Sequence, residues 1–185
     1  MRQFLKVGVT LALIAAIAAT TLAFVNAVTA PRIAAYEMQI IENALSTVAG
    51  KFRLGETKPS LTDEKVSAVH LLQDTDGNHI GYILQLEGIG YGGELTIMAS
   101  YLNNGEVVEA RLLANAETPG LGKKAEAPTY MEKFKATGAA VPVPVKKDAL
   151  QKEDADSISG ATITFAGVAK TIAYGSNYVK SLGGK

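Results

Sequence analysis

The chain has 185 residues, enough for one domain with its own core and a further segment. Its 18 basic and 18 acidic side chains cancel and are scattered, so no basic face marks it for nucleic acid. It has no cysteine and only two histidines, His70 and His79. That removes disulfides, thiolate zinc, iron–sulfur ligation and thiol catalysis, and leaves no metal site to expect; redox chemistry here needs an organic cofactor.

From Val7 to Ala30 the chain carries no charge: VGVTLALIAAIAATTLAFVNAVTA. About 20 apolar residues in a helix cross the hydrocarbon of a bilayer. The small-residue ends at Ala27 and Ala30 resemble signal-peptide cleavage sites, but the apolar run exceeds the usual signal core of about 7–15 residues, which favours a retained anchor. Arg2 and Lys6 precede it, so the expected topology is N-terminus inside and body outside. Residues 1–30 therefore read as a cytoplasmic stub and a single transmembrane helix, with the lipid bilayer as a partner. In residues 31–50, Pro31 suits a helix start or a kink, Ile33, Tyr36, Ile40, Ile41 and Leu45 keep helical spacing, and Gly50 is a plausible stop. This predicts a membrane-exit helix.

Residues 51–185 make the body. KFRLGETKPSLTDE reads as a loop. KVSAVHLLQ and HIGYILQLE flank DTDGN, and GGELTIMASYL and GEVVEARLL flank NNG, which predicts two hairpins. Asp74, Asp76 and Asn78 sit as in a calcium loop, but the distal glutamate is missing and a turn is the better reading. His70, among apolar neighbours in a strand pattern, reads as a packed or surface histidine. NAETPGLGKKAEAP looks like a loop approached closely by a ligand, PTYMEKFKA a short helix, and AAVPVPVKK an extended segment unable to pair inside a sheet. Val168, Ile172 and Val179, with Phe165 and Tyr174 nearby, predict a last amphipathic helix ended by Gly183. The fold class is α+β, an antiparallel sheet with packed helices.

The stretch DSISGATITFAG, at the front of that helix, holds the hydroxyls of Ser159, Thr162 and Thr164. On the residues alone it reads as a capped helix start, with Ser159 or Thr164 as cap and Gly160 as a tight turn. The same helix start would also suit a phosphate, free or tied to a threonine. The residues do not choose between these readings.

A resemblance does. Asp156 followed by Ser159-Gly160-Ala161-Thr162 resembles the Asp-x-x-Ser/Thr-Gly-Ala-Thr signature of the FMN-binding domain family. Glu117-Thr118-Pro119-Gly120-Leu121-Gly122 resembles the loop that these domains fold against the flavin, and the GYGG around Tyr91 is a weaker match. LAFVNAVTAPRIAA is similar to the membrane exit of the G subunits of Rnf ion-translocating electron-transport complexes. Together the matches span nearly the whole chain in the family's order. The C subunits of sodium-pumping NADH:quinone reductases share both motifs but are typically longer, so the Rnf G-subunit family is favoured.

The resemblance implies an electron-transfer subunit rather than a stand-alone enzyme, in a membrane complex linking ferredoxin and NAD to ion pumping. It implies FMN held covalently on Thr162 through a phosphoester made by a flavin transferase, on the extracytoplasmic side of the cytoplasmic membrane. The other subunits of the complex would be its partners. Ser159, Gly160 and Ala161 would shape the turn, and Gly120, Leu121 and Gly122 would lie along the cofactor. Glu117 and Thr118 would offer polar contacts, and Lys123 or Lys124 could offset phosphate charge. No residue is expected to act as a catalytic acid or base. The competing reading from another class is a membrane-anchored extracytoplasmic binding module without cofactor.

Overall fold

Short polar turns fold the middle of the chain into a sheet. In the first, both oxygens of Asp74 are used: Oδ1 accepts from the N–H groups of Asp76 and Asn78, and Oδ2 from the Asn78 amide. Asp74 is thereby held ionised below the ordinary carboxylate range, chiefly by the Asn78 side chain. In the second, Gly105 takes the left-handed φ of 84° that the Asn103-Asn104-Gly105 turn requires. The computed structural model describes residues 1–58 and 63–183. Within it these turns join β2 (Val66–Gln73) to β3 (His79–Ile89) and β4 (Glu94–Leu102) to β5 (Val107–Asn115). With β1 (Arg53–Lys58) they form one five-stranded antiparallel sheet in the order β1-β2-β3-β4-β5.

β1 lies where the sequence predicts a loop, in the part of that loop that is described; residues 59–62 fall outside the described residues. It escapes periodicity because it is an edge strand, almost entirely exposed, with an irregular register between Leu54 and Thr57. Its pairing with β2 comes from backbone hydrogen bonds, which leave no apolar alternation to read.

The chain divides into two units, Met1–Ile41 and Glu42–Lys185. From Arg2 onward the first is helical and belongs to α1 (Arg2–Ala49), which continues through Pro31. One 18-residue window has mean hydropathy 2.2, so this helix is long and apolar enough to cross a membrane. Its threonines return their hydroxyls to the helix: Thr10, Thr20, Thr21 and Thr29 donate to the carbonyls of Lys6, Ala16, Ile17 and Val25, four residues back. Satisfying each hydroxyl locally is what an apolar solvent demands.

In the second unit both faces of the sheet are covered. The last turns of α1 bury Ala44, Val48 and Ala49 on one face, where the Ser100 hydroxyl donates to the Val48 carbonyl at 2.6 Å. On the other face Leu84, Leu86, Leu95, Ile97, Ala99 and Tyr101 meet α4 (Thr162–Gly183) through Phe165, Val168, Ala169, Ile172 and Val179. That helical spacing is the one predicted, and each large apolar side chain fully buried there contributes about 1.5–3 kcal/mol. Tyr101, wholly buried, donates its hydroxyl to the Ile172 carbonyl at 3.0 Å and so pins helix to sheet. The helix seats closely: a Cβ on Gly167 would stand 2.3 Å from the Ile89 carbonyl oxygen.

Between β5 and α4 the chain runs through a 3-10 turn (Gly122–Glu126), a short helix α2 (Pro128–Met131) and a second 3-10 turn (Glu132–Phe134). The proline-rich stretch follows without sheet pairing, and α3 (Lys152–Ser157) leads into α4. Phe134, stacked on Phe165 at 5.7 Å between centroids, fastens this crossover to the core.

Candidate functional site

Three separated segments converge at the N-terminus of α4: the β3–β4 hairpin tip Gly90–Gly93, the loop 116–122 that leaves β5, and the turn 159–161 between α3 and α4. They enclose a half-open cavity of about 400 Å³ lined by Tyr91, Glu117, Thr118, Leu121, Gly122 and residues 160–164. Small-molecule sites occupy about 300–1,000 Å³.

The turn is set by Gly160, whose φ of 81° is left-handed and favours glycine. Leu121 packs over it, 3.2 Å from where a Cβ would be. Helical bonding begins with the Phe165 N–H, which donates to the Ala161 carbonyl at 2.9 Å. Ala161 is therefore the N-cap position, and Thr162, Ile163 and Thr164 open the helix with N–H groups that have no acceptor one turn back. Thr162 is exposed and Ala161 buried beneath it.

Neither candidate cap from the sequence caps α4. Ser159 lies outside the cavity lining, and its hydroxyl accepts from Lys147 Nζ at 3.0 Å. Thr164 is inside the first turn and buried, and its hydroxyl donates to Glu117 Oε2 at 2.7 Å. The reason is the start point: the N-cap position is Ala161, three residues before Thr164, so Thr164 already stands inside the first turn.

Glu117 is the centre of the site's polar network. It is 4% exposed, and its other oxygen, Oε1, accepts from the N–H groups of Tyr91 at 2.7 Å and Gly92 at 3.2 Å. Its own N–H donates to Asn115 Oδ1 at 3.0 Å. The two nearest glycines leave room for this carboxylate: a Cβ on Gly90 would stand 2.0 Å from Oε1, and one on Gly122 2.2 Å from Oε2. Burial, and then the charge of Glu117, push the Tyr130 hydroxyl above its usual range.

The structure thus gathers seven of the sequence-derived site residues around one cavity: Glu117, Thr118, Leu121, Gly122, Gly160, Ala161 and Thr162. Gly120 is not among the lining residues; it has φ of 78° and open space where a Cβ would be. Neither Lys123 nor Lys124 lines the cavity, and Lys123 pairs with Glu126 at 3.7 Å. The sequence does not single out Ile163 or Lys147. A lysine 12 residues before the serine it contacts gives no local pattern to read.

Comparison with known proteins finds two family regions in the chain. Residues 90–176 match the FMN-binding domain family, and residues 1–48 match the RnfG N-terminal region. The G subunit of an ion-translocating oxidoreductase complex from Cereibacter sphaeroides is 30% identical over 177 residues, covering 89% of this chain and 79% of the relative. Its counterpart from Methanosarcina acetivorans is 26% identical over 189 residues, covering 97% and 96%. The G subunit of a proton-translocating ferredoxin:NAD(+) oxidoreductase complex from Clostridium ljungdahlii is 31% identical over 93 residues, and there the chain spans only 50% of the relative's length. With a relative of 30% identity matched over most of both sequences, and with the two family regions in their order, the chain belongs to the G-subunit family of ion-translocating oxidoreductase complexes and carries that family's FMN-binding domain.

Proposed function

We propose that this protein is the flavin-carrying electron-transfer subunit of a membrane ion-translocating ferredoxin:NAD oxidoreductase complex. In this reading FMN is attached to Thr162 through its phosphate, the attachment is made by a flavin transferase, and the domain stands on the extracytoplasmic side. The carrying observation is the position of Thr162. It is the exposed first residue of a 22-residue helix, and it lines the cavity where the family's motifs meet.

The residues fit such a group. A phosphate on the Thr162 oxygen would sit by N–H groups at the positive end of α4, where anions are stabilised. Leu121 and Ile163, exposed apolar side chains at the cavity, give a flat ring system a surface to cover. When bound, FMN supplies one- and two-electron redox chemistry, and the protein supplies binding and orientation. Ala161, buried at the N-cap position, precedes the tether directly. Gly160 provides the bend that brings it to the cavity. No side chain in the cavity is assigned a proton transfer.

A covalent link suits a site facing the outside of the cell, because it keeps the cofactor where free FMN is scarce. The other subunits of the complex and the bilayer are the expected partners. Intact-mass and peptide mass spectrometry of the purified full chain test the reading. FMN is expected on the peptide containing Thr162 and absent from Thr162→Val, with the fold kept. FMN found on Thr164, or persisting in Thr162→Val, would overturn it.

A further inference from the structure

Glu117 stands in the motif that the sequence ties to the cofactor, yet both of its oxygens are turned into the protein. Oε1 is held by the Tyr91 and Gly92 N–H groups and Oε2 by the Thr164 hydroxyl. With the side chain buried and three donors already engaged, little acceptor capacity faces the cavity. Two donors come from the hairpin tip and the third from the first turn of α4, while Glu117 itself stands in the loop that leaves β5.

The hairpin tip it holds has an unusual cargo. Tyr91 is 68% exposed, although its own N–H is fixed to a buried carboxylate. The tip is closed a second time by the Gly90 N–H, which donates to the Gly93 carbonyl at 2.8 Å. The backbone of the tip is thus fixed at two points while its ring stands exposed at the cavity. Among the described residues lining the cavity, Tyr91 is the one aromatic. Leu121 and Ile163, 45% and 61% exposed, are its other large apolar walls.

We propose that Glu117 is a positioning residue, and that its carboxylate holds the Gly90–Gly93 tip so that Tyr91 forms the aromatic wall against which the flavin ring system rests. The proposal rests on the reading of this cavity as the FMN site. Gly90 and Gly122 belong to the same device, since a side chain at either would collide with the carboxylate. Offset or edge contact between a phenol and a flat heteroaromatic ring is the geometry such a wall serves.

The experiment uses the purified full chain with FMN attached, its loading checked by mass. A phenol in contact with a flavin quenches its fluorescence, so Tyr91→Leu should raise flavin fluorescence several-fold. Glu117→Ala should raise it to a similar degree, Glu117→Gln should stay close to wild type, and the double change should add nothing to Tyr91→Leu. Unchanged fluorescence in either Tyr91→Leu or Glu117→Ala, or two independent additive effects, would overturn the proposal. Should Glu117→Ala not fold, Tyr91→Leu decides, since an exposed side chain can be shortened without loss of the core. The clamp also has a readout free of cofactor. In Thr162→Val protein, amide exchange at Tyr91 and Gly92 should quicken about tenfold or more when Glu117 is replaced by alanine, as expected for losing bonds to a charged acceptor. Equal exchange rates would remove the clamp whatever the cavity binds. A wild-type chain without FMN, with the exchange difference present, would instead strike the flavin reading alone.

Discussion

Two threonines, two positions apart, have opposite environments. Thr162 is exposed and makes no side-chain hydrogen bond among the described residues, whereas Thr164 is buried and donates to Glu117. Their valine variants should therefore separate. Thr162→Val should leave the unfolding midpoint near wild type and remove covalent flavin. Thr164→Val should keep the flavin and lose about 1–3 kcal/mol in denaturant unfolding, because a buried carboxylate oxygen loses its donor. His70 offers a different measurement. Partial burial lowers its pKa below 6.5, so the fold prefers the neutral ring. Its contribution to stability is therefore complete above about pH 6.5 and is lost as the pH falls through the folded-state value. Melting temperatures followed from pH 8 to pH 5 should fall less steeply on the acid side in His70→Gln. The role of Glu117 is not legible in the sequence, since its partners lie 26, 25 and 47 residues away. The motif marks the residue, and only the fold shows which way it faces.

At the level of elements, what can be read is what repeats locally. The Asp74 turn, the Asn-Asn-Gly turn and the helical spacing of Phe165, Val168, Ile172 and Val179 each lie within a few residues, and each is realised. β1 escapes such a reading because its pairing partner, not its own pattern, makes it a strand. α4 also carries a glycine that propensity alone misjudges. Gly→Ala inside a helix ordinarily stabilises by about 0.5–1 kcal/mol. At Gly167 the added carbon would meet the Ile89 carbonyl oxygen, so the sign reverses. Gly167→Ala should cost about 1–3 kcal/mol in unfolding experiments, and a stabilised variant would show that helix and sheet can separate there without loss.

The whole molecule joins a helix built for lipid to a domain built for a cofactor, and composition reveals the first more readily than the second. An uncharged run of this length is a physical statement in itself. The cavity has no such signature, since its parts are spread from Tyr91 to Thr164. With Arg2 and Lys6 on the N-terminal side of the apolar run, the body should lie outside the cytoplasm. A reporter active only in the cytoplasm, fused after Lys185, should be silent in cells making the full chain. Activity there would reverse the orientation and, with it, the side on which the flavin works.

The same scattered construction bears on how the protein matures. Strands β3 and β5 must already lie in register, and α4 must already be seated, before Tyr91, Glu117 and Thr164 can meet. Contacts of this sequence separation form only after the intervening chain has closed into a loop. The cavity therefore exists only once these elements have docked. If FMN is attached at Thr162 as proposed, and the attachment needs the assembled cavity, the yellow colour of a preparation would count the molecules in which these elements have docked.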